Sequence, residues 1–220
     1  TGVGASGIVT VRFSKEMDAT TINSSTFSLQ LASSGAVVPS VISYDAASQA
    51  ARITPSSSLQ SSMSYNVVVS STVKDTEGNA LGAQFTFGFT TGDFVPPSVA
   101  AMTPAPGSSG ITTTTGITAT FSEAMDASSI SASTFSLHVT SGGASVGGSV
   151  TYDAATRVAT FTPSSALANG TSYTATISTG VHDTAGNALA AASTWSFTTA
   201  TAVVALSVTS TSPQNGTTNV

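Results

Sequence analysis

The sequence contains no cysteine, and only 7% of its 220 residues are charged, against roughly 25% in an ordinary soluble chain. The first absence excludes disulfides, thiol nucleophiles and cysteine-ligated zinc or iron–sulfur centres. The second leaves Ser, Thr, Ala and Gly to supply the surface. Five Lys and Arg face ten Asp and Glu, for a net charge of −5. A nucleic-acid partner requires a clustered basic face, which this balance argues against. Residues 1–92 carry four basic and five acidic groups, and residues 93–200 carry one and five. No apolar run approaches 18 residues, so no membrane span is expected in this segment. No charged and then apolar leader is present either, and a chain opening Thr1-Gly2-Val3-Gly4 reads as a processed product or a segment of something longer.

What is present is repetition. Phe13 to Leu29, FSKEMDATTINSSTFSL, returns 108 residues later as Phe121 to Leu137, FSEAMDASSISASTFSL. The same spacing joins Tyr44-Asp45-Ala46-Ala47 to Tyr152-Asp153-Ala154-Ala155 and Thr54-Pro55-Ser56-Ser57 to Thr162-Pro163-Ser164-Ser165. It also joins Tyr65 to Tyr173, Asp75 to Asp183, Gly78-Asn79 to Gly186-Asn187, Phe87 to Trp195 and Phe89 to Phe197. A repeat of this length is a domain, not a solenoid unit. The 40% of hydrophobic residues suffices for a core in each of two domains of about 100 residues.

Short alternating segments carry the secondary structure. In the second copy Ile117, Ala119 and Phe121 share one face, as do Phe135, Leu137 and Val139, Tyr173, Ala175 and Ile177, and Trp195 and Phe197. Ser149 to Tyr152 and Arg157 to Thr162 flank Asp153-Ala154-Ala155-Thr156, which reads as a hairpin turn. Such period-two patterns, broken by Gly, Asn, Asp and Pro, predict antiparallel strands with one buried face, packed as a sandwich. The expected core is Phe121, Phe135, Leu137, Tyr152, Val158, Phe161, Tyr173, Ile177, Trp195 and Phe197. The one helical signal is a single turn near Asp126 to Ile130, with Asp126 as its cap.

The expected boundaries are 1–92 for the first domain, 93–200 for the second, and 201–220 for the opening strand and turn of a further repeat. Gly92 to Pro97 is a linker stiffened by two prolines. Val99 to Met102 opens the second copy, whereas Val3 already aligns with Ile111, so the first copy lacks its opening strand. Pro213 aligns with Pro104 and Gly216 with Gly107, at a spacing of 109.

FSEAMDASSI, YDAATRVATFTPSSALANGTSYTATIS, GVHDTAGNAL and WSFTT resemble the bacterial Ig-like domain of the type found in the surface-layer protein SbsA and in long arrays of secreted bacterial proteins. The resemblance covers all of 93–200 and most of 1–92. It implies tandem seven-stranded Ig-like sandwiches, all-β, with the first copy short of its opening strand. It implies a secreted or cell-surface bacterial location, and it brings no catalytic residues. Two positions depart from the usual pattern: Glu16 and Ala124 stand where a Pro precedes the Met-Asp step, and Phe87 stands in copy one for Trp195.

Candidate chemistry is sparse. Glu123, Asp126, Asp183 and Asn187 are the weak candidates for a calcium site built from hard oxygen ligands. Turn and capping roles explain the same residues, the spacing is not that of an EF-hand, and Lys15 stands at the position of Glu123 in the first copy. His138 and His182, the two imidazoles, sit in no Ser-His-Asp pattern. A Lys–Asn cross-link is impossible in 93–200, which has no Lys, and improbable at Lys15 or Lys74. Trp195 reads as core rather than as a sugar platform.

The expectation is therefore a non-enzymatic extracellular structural module. It forms a fibre, surface layer or stalk by end-to-end association with copies of itself or adjacent repeats. The assembly residues are Val203, Val204, Leu206, Val208 and Pro213, supplied as a strand to a neighbouring subunit. Two other readings stay open: a window of a long tandem-repeat adhesin, and a spacer or glycan-binding module of a secreted hydrolase.

Overall fold

The computed structural model describes residues 2–203, 206–210 and 212. The chain divides into two compact units, residues 1–96 with 185–187 and residues 97–184 with 188–220. Their secondary structure is nearly all strand, as the alternating β-branched and aromatic residues require.

In the first unit β1 (Val9–Arg12), β5 (Ala50–Pro55) and β4 (Ser40–Asp45) form one sheet in the order β1-β5-β4. A second sheet has the order β3-β2-β6-β7, built from β3 (Val37–Val38), β2 (Phe27–Leu31), β6 (Ser64–Val69) and β7 (Phe85–Thr90). Every one of these pairings is antiparallel. The inward residues of the two sheets, among them Phe27, Leu29, Ile53, Tyr65 and Val67, are almost fully buried against one another.

The second unit repeats the plan. One sheet has the order β11-β12-β9-β8, from β11 (Gly148–Asp153), β12 (Val158–Pro163), β9 (Ile117–Phe121) and β8 (Val99–Thr103). The facing sheet is β10-β13-β14, from β10 (Phe135–Val139), β13 (Ser172–Ile177) and β14 (Ser193–Thr198). Its core holds Ile117, Phe121, Phe135, Leu137, Phe161, Tyr173, Ile177, Trp195 and Phe197. Two expected core members, Tyr152 and Val158, are only half-buried. Tyr152 is half-buried because its hydroxyl must reach the strand-end backbone, where it accepts a hydrogen bond from Met125 N–H at 2.9 Å. Tyr44 does the same for Met17 N–H in the first unit.

Both units are Ig-like sandwiches, and the second has seven strands. The first reaches seven only by counting the two-residue β3, whose counterpart is a single bridge between His138 and Ser145. Among the described residues it shows no counterpart of β8. In the second unit β8 pairs with β9, and the chain then crosses to the other sheet, where Ile111 makes a parallel bridge to Thr199. In the first unit the crossing segment is there, with Val3 bridged to Thr91, but among the described residues β1 pairs with β5 alone.

Candidate functional site

The repeated stretch is a corner between the two sheets. β9 ends at Phe121, one 3-10 turn spans Ala127–Ser129, and β10 starts at Phe135. Asp126 is the N-cap: its Oδ1 accepts from Ser128 N–H and from Ser128 Oγ–H, both at 2.8 Å. Asp18 does the same with Thr20 at 2.9 and 2.7 Å. The hydroxyl bond, then the backbone bond, hold the carboxyl of Asp126 below its ordinary range, and the nearby imidazole of His182 adds to this. His182 Nδ1 lies 3.8 Å from Asp126 Oδ2.

Ser129 completes a Ser, His and Asp set here, but not a catalytic one. Its hydroxyl donates to the Asp126 carbonyl at 2.7 Å and accepts from His182 backbone N–H at 3.2 Å. A nucleophile requires its hydroxyl on the imidazole of the base. His138 lies on β10, with Nδ1 3.3 Å from the Gly143 carbonyl and from Ser145 Oγ, so its partners are a carbonyl and a hydroxyl rather than a carboxylate.

The second acidic feature is the loop Asp-Thr-x-Gly-Asn. In the first unit Asp75 accepts from Glu77 N–H at 3.0 Å, Asn79 N–H at 2.8 Å and Asn79 Nδ2 at 3.1 Å. The Asn79 side chain is the main reason that its carboxyl titrates below 3.8, burial opposing it. Gly78 at φ 88° makes the turn possible, as Gly186 at φ 96° does in the second copy. Lys15 Nζ sits 3.5 Å from Asp75 Oδ2 and 3.3 Å from Glu77 Oε2, and these partners, Glu77 first, raise its pKa. Lys15 is 61% exposed. A protonated, solvated amine beside an ionised carboxylate is the wrong pair of states for amide formation, so the ion pair is not a nascent cross-link.

The four calcium candidates do different things. A carboxylate oxygen of Glu123 lies within 4.8 Å of one of Asp183, which is 2% exposed and bridges Met125 through its backbone. Asp126 serves the cap. Residues 185–187 group with the first unit, and Asn187 donates Nδ2 to the Asp93 carbonyl at 3.3 Å. Of the assembly residues, Val203, Leu206 and Val208 are 94%, 103% and 82% exposed. Val204 and Pro213 lie outside the described residues. Trp195 is core, 3% exposed, and its Nε1–H has no hydrogen-bond partner among the described residues. Sequence reasoning missed the Ser129–His182 and Lys15–Asp75 contacts. They join residues 53 and 60 positions apart, and only the matching spacing of copies hinted at them.

Two antiparallel sandwiches, with Asp18, Asp45, Asp75, Asp126 and Asp153 held in caps and turns, define the class of tandem Ig-like modules. The chain belongs to the bacterial Ig-like domain family, Big_5, which it matches over residues 1–91 and again over 93–199. No curated protein sequence matched it. Among solved structures, it is similar to the N-terminal part of the bacterial S-layer protein SbsC, with 27% identity over 48% of this chain and 24% of that one, at a TM-score of 0.39. The I67–I69 I-band fragment of titin is similar over 90% of this chain and 60% of that one, with 9% identity and a TM-score of 0.45. Native alpha-2-macroglobulin from Escherichia coli, spanning domains MG0-NIE-MG1, is similar at 14% identity over 90% and 68% of the two chains, with a TM-score of 0.38. The chain thus spans about a quarter of the S-layer fragment and three-fifths of the titin fragment.

Proposed function

We propose that this chain is a non-enzymatic structural module of the bacterial cell exterior, working by end-to-end association into a fibre, surface layer or stalk. The observation that carries this reading is the duplicated sandwich whose reactive side chains are spent on its own corners. Asp18 and Asp126 cap turns, Asp45 and Asp153 close hairpins, and Asp75 anchors a loop. What remains for function is surface, and the surface is Ser- and Thr-rich with few charges. In this reading the C-terminal segment, with Val203, Val204, Leu206, Val208 and Pro213, supplies the association, because a charge-free apolar strand suits a sheet edge. A head-to-tail contact that does not close on itself propagates.

Sedimentation of the full chain over a wide concentration range, with electron microscopy of the heaviest fraction, tests it. Concentration-dependent rods or sheets are expected. A monodisperse 21.6 kDa species at every concentration overturns the reading.

A further inference from the structure

We propose that Asn169-Gly170 is a self-modification site: the Gly170 backbone nitrogen attacks the Asn169 side chain, and the product loosens the turn that clasps the end of β14. The proposal needs a single chain only, so it is independent of the end-to-end reading above.

The chemistry is local. The backbone nitrogen of the residue after an asparagine can reach the side-chain carbonyl carbon. When that nitrogen loses its proton to base and attacks Cγ, a cyclic imide forms and the side-chain nitrogen leaves as ammonia. Water then opens the ring at either carbonyl. One opening gives aspartate. The other gives isoaspartate, in which the backbone runs through the former side chain and gains a carbon. No oxidant or reductant is needed. The attack is easiest where the following residue has no Cβ and the asparagine amide is held by nothing else.

Among the described residues Asn169 alone meets both conditions. It is exposed, Gly170 follows it, and its side-chain amide has no hydrogen-bond partner there. Asn23 precedes Ser24, and its side chain binds the Thr20 carbonyl and Ser25 N–H, both at 3.0 Å. Asn79 precedes Ala80 and holds Asp75 at 3.1 Å, and Asn187 precedes Ala188 and holds the Asp93 carbonyl at 3.3 Å. Asn66 lies within β6 and precedes the buried, β-branched Val67. The dipeptide recurs at Asn215-Gly216, outside the described residues.

The fold restrains the reaction. Gly170, at φ 59°, donates its N–H to the Ala200 carbonyl at 2.9 Å, and the attack waits for that bond to open. The turn itself does not require the reactive pair. In the first unit Ser61-Ser62 make the same turn, with Ser62 at φ 53° and its N–H on the Gly92 carbonyl at 3.0 Å. Thr199, 2% exposed, ties both sides of the turn in the second unit. Its hydroxyl donates to the Ala168 carbonyl at 2.6 Å and accepts from Thr171 N–H at 3.0 Å. Its own N–H donates to the Thr171 carbonyl at 3.0 Å. An added backbone carbon between 169 and 170 changes the reach from Ala168 to Thr171, so Thr199 cannot keep both. The aspartate product leaves the backbone length unchanged and keeps the clasp.

The full chain is aged at neutral pH and digested, and each asparagine peptide is weighed for ammonia lost and water gained, with fragmentation to separate aspartate from isoaspartate. Product at Asn169 should exceed that at Asn23, Asn66, Asn79 or Asn187 by at least about tenfold, and should form at least about tenfold faster in urea than in the folded chain. A yield at Asn169 no higher than at the other asparagines overturns the site. Equal rates folded and unfolded overturn the restraint. Hydrogen exchange reads the consequence: the Thr171 and Thr199 amides should exchange faster in aged than in fresh chain. A chain carrying Asn169→Ser and Gly170→Ser, the pair that makes this turn in the first unit, should exchange alike before and after ageing. Equal loosening of both chains overturns the link between modification and turn. A chain that stays monomeric throughout sinks the end-to-end reading and leaves these outcomes unaffected.

Discussion

Phe13 and Phe121 occupy the same place in two copies of one fold, yet one is half-buried and the other is 1% exposed. Truncating a buried aromatic removes its transfer free energy and leaves a cavity, so Phe121→Ala should cost about 3–5 kcal/mol. Phe13→Ala should cost distinctly less in the isolated chain, because water already reaches that ring; urea melts of the two variants decide this. Gly148 makes a second residue-scale case. A Cβ there would lie 2.5 Å from Phe161 Cζ and 2.6 Å from the Thr162 carbonyl, so the large ring requires the glycine. The first copy has Ser40 and Ile53 at these places, a larger residue beside a smaller one. Gly148→Ser should cost about 1–3 kcal/mol by overpacking. Adding Phe161→Ile should recover part of that in a double-mutant cycle, and strict additivity of the two changes would refute the coupling. Alternation identified Phe161 and Trp195 as core from the sequence. It could not show the fit of Gly148 to Phe161 or the unpartnered Nε1–H of Trp195, because both depend on which strand lies opposite.

At the scale of elements, the strands and the hairpin turns were legible because their signals are local. Asp153 marks the β11–β12 turn by accepting from Ala155 N–H at 3.0 Å and Thr156 Oγ–H at 2.7 Å, all within four residues. The same local logic makes the corners sensitive to acid. Asp18, Asp45, Asp126 and Asp153 titrate below 3.8, chiefly because a Ser or Thr hydroxyl hydrogen-bonds each carboxylate, and Asp75 does so chiefly through Asn79. A lowered pKa in the folded state means that the folded chain binds fewer protons than the unfolded one. The stabilisation is therefore complete above 3.8 and is lost as the pH falls through the lowered values. Melting temperature should hold steady down to about pH 5 and drop below about pH 4, and Asp153→Asn should shallow that drop. A flat profile to about pH 2 would show that these turns carry no linked stability. The Lys15 ion pair was not legible, since its partners come from a loop 60 residues away. Its exposure and its protonated amine lead to another expectation: the intact mass of the chain equals that of its sequence, and a deficit of one ammonia or one water would reveal an amide.

For the molecule as a whole, the repeat spacing of 108 made the duplication readable from the order of residues alone. It could not reveal how far matching side chains differ in burial, because Phe85 replaces Ser193 and Phe87 replaces Trp195 without disturbing the alternation. The two units consequently share a topology and differ in how well it is closed. The second has β8 over β9, with Val99 and Met102 against its core. In the first, β1 pairs with β5 alone among the described residues. Local opening follows such deficits, since edges with few buried contacts sample open states first. In dilute solution, where association is absent, amides of β1 and β7 should therefore exchange faster than those of β9 and β14, although the paired elements have nearly the same sequence. The comparison is internal to one chain, so temperature, pH and concentration cancel. If the two units exchange alike, the open edge carries no cost. If the first unit exchanges faster, the difference between the two rates measures what β8 contributes to the second by pairing with β9.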